Sequence, residues 1–218
     1  MALLVAVAGP VAAQEWIDLP ARLSDEAFYR AVACAAPPGG ECAKPFMRWP
    51  EARRGDLTVT LASVADTVRP YRLRLHRAGL DAAIAHINAA DAGLRLRRIA
   101  QGPADITVHV VATPPGGIIA GTGQPDLDGY LLPLARVALR VRGGTIRRGA
   151  IAVSAHARRR EIPSVLLEEL TQAMGLMTDI RGPAYRRSLF SEDGNSVTRL
   201  TGQDAMALRR HYAAMPES

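Results

Sequence analysis

The stretch from Pro163 to Gly175, PSVLLEELTQAMG, is the part of this chain with the least structural freedom. Proline is tolerated in the first turn of a helix, where its missing N–H has no partner to lose, and glycine is favoured just past the last turn. The two residues therefore bracket a predicted helix over 163–175. Glu168 and Gln172 stand four apart on it and share one face, so a cleft on that side receives a carboxyl and an amide together. Glu169 is turned from Glu168 by about 100° around the axis. Two glutamates so placed are poorly disposed to flank a single bond.

The flanking sequence supplies a layout for this helix. Ser24 ahead of Asp25 and Glu26 predicts a capped helix start, and Pro37-Pro38-Gly39-Gly40 a stop. In 56–64 Leu57, Val59 and Leu61 alternate with polar neighbours as in a half-buried strand, and Leu73, Leu80, Ile84 and Ile87 recur at helical spacing. LRLRRI and DITVHVV, joined by a turn at Gly102-Pro103, are two further strands. The glycine-rich residues 114–133 form loops that wrap a surface. RVALRVR and TIRRGAIAVS are strands either side of Gly143-Gly144, with direct pairing left open. Thr201 and Asp204 form a T-x-x-D capping pattern ahead of a last helix whose apolar side holds Ala205, Leu208 and Tyr212. This order is α+β.

MALLVAVAGPVAA, residues 1–13, is an uncharged apolar run ending in small residues, as in a secretory leader, with cleavage expected after Ala13. No other segment approaches the roughly 18 apolar residues of a membrane span. Cys34 and Cys42, the only cysteines, flank a turn-rich segment and are expected to form a disulfide, which agrees with a periplasmic or secreted protein. The net charge is +6, but Lys44 is the only lysine and the arginines are scattered in short runs without interleaved aromatics. A solvated surface with no nucleic-acid role follows, although such a surface favours anionic envelope components. No G-x-S-x-G motif is present, and with both cysteines paired a serine or cysteine triad has no support.

The helix 163–175 resembles the zinc-binding helix of metzincin proteases, especially matrixin-like ones, whose pattern is H-E-x-x-H-x-x-G-x-x-H. Glu168 falls at the first histidine, Glu169 at the catalytic glutamate, Gln172 at the second histidine and Gly175 at the glycine, with Thr178 or Asp179 near the third ligand. Residues 79–110 resemble the matrixin helix and its following strand, SLFS at 188–191 lies at the Met-turn with Phe190 in the methionine position, and residues 200–213 resemble the closing helix. A closer likeness is to an uncharacterised bacterial family, domain of unknown function 2927. Its pattern is matched by Glu168, Glu169, Gln172, Gly175, Asp179, Ser188, Phe190 and Asp204. The resemblance implies a zincin-like fold: a mixed sheet packed on helices, with the motif-bearing helix lining a cleft. The chain then divides into a leader (1–13), an N-terminal helical segment with the disulfide (14–56) and a zincin-like domain (57–218).

EExxQ in place of HExxH changes the chemistry. Imidazole nitrogens suit zinc, whereas a carboxylate and an amide oxygen suit harder divalent cations, so the donor set disfavours zinc. Without a strong Lewis acid, a water beside Glu169 keeps a pKa far above the ~7 that zinc confers. Two functions follow. One is an exported pseudoprotease that binds a peptide or envelope component along an edge strand and the cleft. The other is a metal-dependent hydrolase with Glu169 as general base and Glu168, Gln172 and Asp179 as oxygen ligands. Among the histidines, His86 and His109 lie within secondary structure, and His156, whose strand should border the cleft, is the substitute ligand to watch.

Overall fold

The computed structural model describes residues 11–12, 16–194 and 196–213. The expected leader, 1–13, lies outside the described residues except for Val11 and Ala12. In chain order the elements are β1 (Val11–Ala12), β2 (Trp16–Asp18), α1 (Asp25–Cys34), α2 (Glu51–Arg54), β3 (Leu57–Val64), α3 (Pro70–Ala89), β4 (Leu96–Ile99) and β5 (Ile106–Val111). There follow β6 (Gly117–Ile118), β7 (Leu131–Leu132), β8 (Ala135–Arg142), β9 (Thr145–Ser154), α4 (Ile162–Gln172), β10 (Asp179–Arg181) and α5 (Gly202–Tyr212). The architecture is mixed α/β, with a mixed sheet packed against helices.

The main sheet has the order β1-β8-β9-β5-β3-β4. β4, β3, β5 and β9 run parallel, whereas β8 is antiparallel to β9 and β1 antiparallel to β8. Parallel neighbours need a long crossover, and the 20 residues of α3 provide the one between β3 and β4. The two strands expected either side of Gly102-Pro103 do not pair with each other. β4 ends opposite Thr60 and β5 begins opposite Val59, so the short connection needs no backtracking to place them on opposite sides of β3. Around Gly143-Gly144 the arms do pair directly, and both glycines have positive φ, 55° and 73°, as a tight primed hairpin turn requires.

Both faces of the sheet are covered, which is why β5 and β9 are apolar on each side. On one face Val59, Val108, Val137 and Ile151 are buried in the main core, which also takes residues of α3 and α4. Gly79 lets these helices meet closely: a Cβ there would sit 2.9 Å from Leu166 Cδ1. On the other face the excursion over 114–133 lays Ile119, Leu127 and Leu132 onto Ala138, Ala150 and Ala152. Phe28, Met47 and Trp49 from the N-terminal segment belong to the same core as α4 and α5.

Ser24 caps α1 as expected, its Oγ accepting from Ala27 N–H at 3.3 Å, and Cys34 and Cys42 are joined by a disulfide. The T-x-x-D cap does not form. Thr201 makes no side-chain cap bond, and the Asp204 carboxylate instead accepts from Ser188 Oγ at 2.6 Å and Leu189 N–H at 2.7 Å. A buried carboxylate gains more from two donors in the adjoining segment than from fraying helix amides. No described helix is long and apolar enough to cross a membrane.

Candidate functional site

The last turn of a helix leaves carbonyls without partners, and here aromatic side chains from distant segments take them. Trp49 Nε1–H donates to Ala173 O at 2.9 Å and Tyr212 OH to Met174 O at 2.7 Å. α4 ends at Gln172 and a turn carries the chain to Gly175, at φ +99°, where a Cβ would lie 1.9 Å from Met47 O. Only glycine passes at that distance. Thr178 N–H then bonds Val32 O at 3.1 Å, and β10 begins, pairing in parallel with β2 and setting Asp179 opposite Trp16.

This reversal brings Asp179 back beside the helix it left. Gln172 Nε2–H donates to Asp179 Oδ1 at 2.8 Å, both groups buried. Together with Glu168, Glu169 and Arg136 they line a pocket of about 130 Å³, closed on its apolar side by Pro133, Leu134 and Val165. All four residues expected from the sequence, Glu168, Glu169, Gln172 and Asp179, meet there. Glu168 and Glu169 were expected to diverge, yet both face this pocket, which curls around α4 from Asp179 on one side to Arg136 of β8 on the other.

Burial shifts the pocket's carboxyls upward, toward their neutral form. Burial raises Glu169 to about 8, with nearby Asp179 adding to the rise and Arg136 opposing it. Burial, and next Asp179, push half-buried Glu168 well above the usual glutamate range. Asp179 is likewise raised, by burial and then by Glu192, against the Gln172 hydrogen bond and the charge of Lys44.

Three buried polar atoms of the lining lack a hydrogen-bond partner: Glu169 Oε2, Arg136 Nε and Ser191 Oγ. Their residues are only 7%, 8% and 3% exposed, so bulk water does not serve them freely. Arg136 instead stacks over the Tyr130 ring, 5.0 Å from its centroid. Sequence reasoning missed Arg136 altogether, since nothing marks it among the alternating residues of β8, and it read Ser191 only as the end of SLFS.

Other expectations fall elsewhere. Thr178 is buried away from the lining, and Phe190 packs in the core, edge-on to Phe28 at 6.2 Å. His156 is exposed, its Nε2 3.0 Å from Ala112 O, and His109 is held between Ser63 and Thr107 under the glycine-rich excursion. None of the five histidines lines the pocket.

For a metal ion the fit is poor. Among the described residues no three His, Cys, Asp or Glu side chains converge on one point. The Gln172 amide directs its nitrogen, not its oxygen, at Asp179. A divalent cation needs several oxygens at about 2.0–2.6 Å, and no nitrogen donor is available for zinc.

The sequence pattern of a family described as protein of unknown function (DUF2927) matches residues 35–215. No curated protein matches this chain. The matched span contains every residue that lines the pocket and most of the chain, which therefore belongs to the DUF2927 family.

Proposed function

We propose that the protein is an exported, zincin-like pseudoprotease, which binds an extended peptide or peptide-bearing envelope component along β8 and in the adjoining pocket without zinc-dependent cleavage. Support for the zincin-like reading comes from the parallel β4-β3-β5-β9 order, the antiparallel strand β8 beside β9 and the cleft-lining helix with EExxQ. The observation that carries the binding role is the set of three unpartnered buried polar atoms, Glu169 Oε2, Arg136 Nε and Ser191 Oγ, that belong to residues lining one pocket at the start of β8. Unsatisfied buried groups cost roughly 1–3 kcal/mol each, and a ligand that supplies their partners recovers that energy.

Strand addition gives such a ligand its register. On the side of β8 away from β9, Val11 and Ala12 pair antiparallel with Leu139 and Ala138, and no described strand pairs there with Ala135 and Arg136 beside the pocket, where an extended peptide can add on. Large apolar side chains are left exposed close by: Trp16 opposite Asp179, and Leu131 just ahead of Pro133. Titration calorimetry with extended peptides tests the reading. Saturable binding weakened by Arg136→Ala is expected, and no binding by any extended peptide would overturn it.

The second reading, a metal-dependent hydrolase with Glu169 as base, draws on the buried Glu169 carboxyl, which burial raises to about 8. Metal analysis of the purified protein decides it: stoichiometric calcium, magnesium or manganese lost on Glu168→Gln would favour it over the pseudoprotease.

A further inference from the structure

We infer that the pocket at α4 takes a single organic cation, the guanidinium or ammonium group of a basic side chain on the peptide paired with β8. The inference rests on the peptide-binding reading above and adds a specificity to it.

Charge selects the sign of the ligand. Glu168, Glu169, Asp179 and Glu192 line the pocket against one cation, Arg136. Glu192 faces Arg181 at 3.9 Å, but Glu169 has an oxygen that is buried, unpartnered and part of the lining. An anion placed here meets carboxyl groups on most sides, whereas a cation meets acceptors. Burial raises these carboxyls above their usual range, and a cation placed among them favours their ionised form.

Geometry selects an organic cation over a metal ion. Four carboxyls line the pocket, and among the described residues no three of them converge on one point. A metal ion requires convergence, but a guanidinium spreads five N–H donors over a plane and an ammonium carries three, so either reaches acceptors that stand apart. The pocket's two kinds of wall fit the rest of such a side chain. Pro133, Leu134 and Val165 offer apolar contact for a methylene stem, whose charged head then lies against Glu169 and Asp179. Arg136 Nε and Ser191 Oγ, the remaining unpartnered atoms, suit a carbonyl oxygen of the peptide backbone.

The test uses the full chain and short blocked peptides of alternating valine and alanine, with arginine, lysine, citrulline or norleucine at the centre, titrated calorimetrically in metal-free buffer. Arginine and lysine peptides should bind at least about tenfold more tightly than the citrulline and norleucine ones, a difference of ~1.4 kcal/mol. The tighter of the two basic peptides identifies the group as guanidinium or ammonium. Glu169→Gln, folded by circular dichroism, should bring their affinity down toward that of citrulline. If that variant does not fold, the comparison of peptides on the unaltered protein still decides. Equal binding of all four peptides overturns the cation assignment and leaves peptide binding standing. Binding that appears only with added calcium or manganese overturns it in favour of a metal site, and no binding by any peptide overturns both readings.

Discussion

Gln172 and Asp179 are joined by a 2.8 Å hydrogen bond across the turn that ends α4, so the Gln172 amide is spent on holding a carboxyl in place. This bond ties α4 to β10 and shapes the pocket between them. Gln172→Leu should therefore destabilise the fold by about 1–3 kcal/mol in urea unfolding, because it strips a buried carboxyl of its donor. It should also push Asp179 further up, since the lost hydrogen bond was one of the influences lowering it. An unchanged urea midpoint would show that the bond contributes nothing.

Stability should fall as the pH rises above neutral. Glu169 titrates near 8 in the folded protein against an ordinary 4.5, so across that window the folded state holds a proton that the unfolded chain has lost. Stability tied to this group is complete below the unfolded value and is lost as pH rises through the folded one, with a slope of up to about 1.4 kcal/mol per pH unit. His211, lowered to about 3 by burial, acts the opposite way but only below its ordinary 6.5. The fall should thus stand clear between pH 6.5 and 8, and Glu169→Gln should lessen it in melting temperatures taken across that range, the remainder coming from Glu168 and Asp179, which burial also raises.

Gly175→Ala should be among the most damaging single substitutions. Its φ of +99° is strained for any side chain, and the added Cβ would meet Met47 O at 1.9 Å. A loss of at least about 3 kcal/mol is expected, measured by urea unfolding or seen as a failure to accumulate soluble protein. Gly55→Ala, with no atom within 4 Å of the added Cβ and no positive φ, serves as the mild control.

The Cys34–Cys42 disulfide closes a loop with a sequence separation of 8, and opening it releases chain entropy worth roughly 2.5 kcal/mol in the unfolded state. Reduction, or a double Cys34→Ser and Cys42→Ser change, should lower the melting temperature by several degrees. Identical melting of the oxidised and reduced protein would contradict this.

Local features were legible in the sequence because nearest neighbours decide them. Ser24 caps α1 since its hydroxyl lies within reach of Ala27 N–H, and Gly143-Gly144 makes a turn since only glycine accepts two successive positive φ angles at no cost, although that its arms pair was decided by the fold. Helical periodicity alone placed Glu168 and Gln172 on one face of α4, and both line the pocket.

Tertiary structure decided the rest, because it chooses among partners that local rules leave equal. Asp204 looked like a capping residue, but the segment carrying Ser188 and Leu189 folds back and offers its carboxylate two better donors. Glu168 and Glu169 point apart on an isolated helix, yet face one pocket once β8 closes one flank of α4 and β10 the other. Arg136 and Ser191 carry no signal in the sequence; they join the site only because the antiparallel strand β8 and the return after β10 bring residues far apart in the chain to the same helix. Periodicity and capping act within a few residues, whereas a pocket is made by whichever distant surfaces the core packs together.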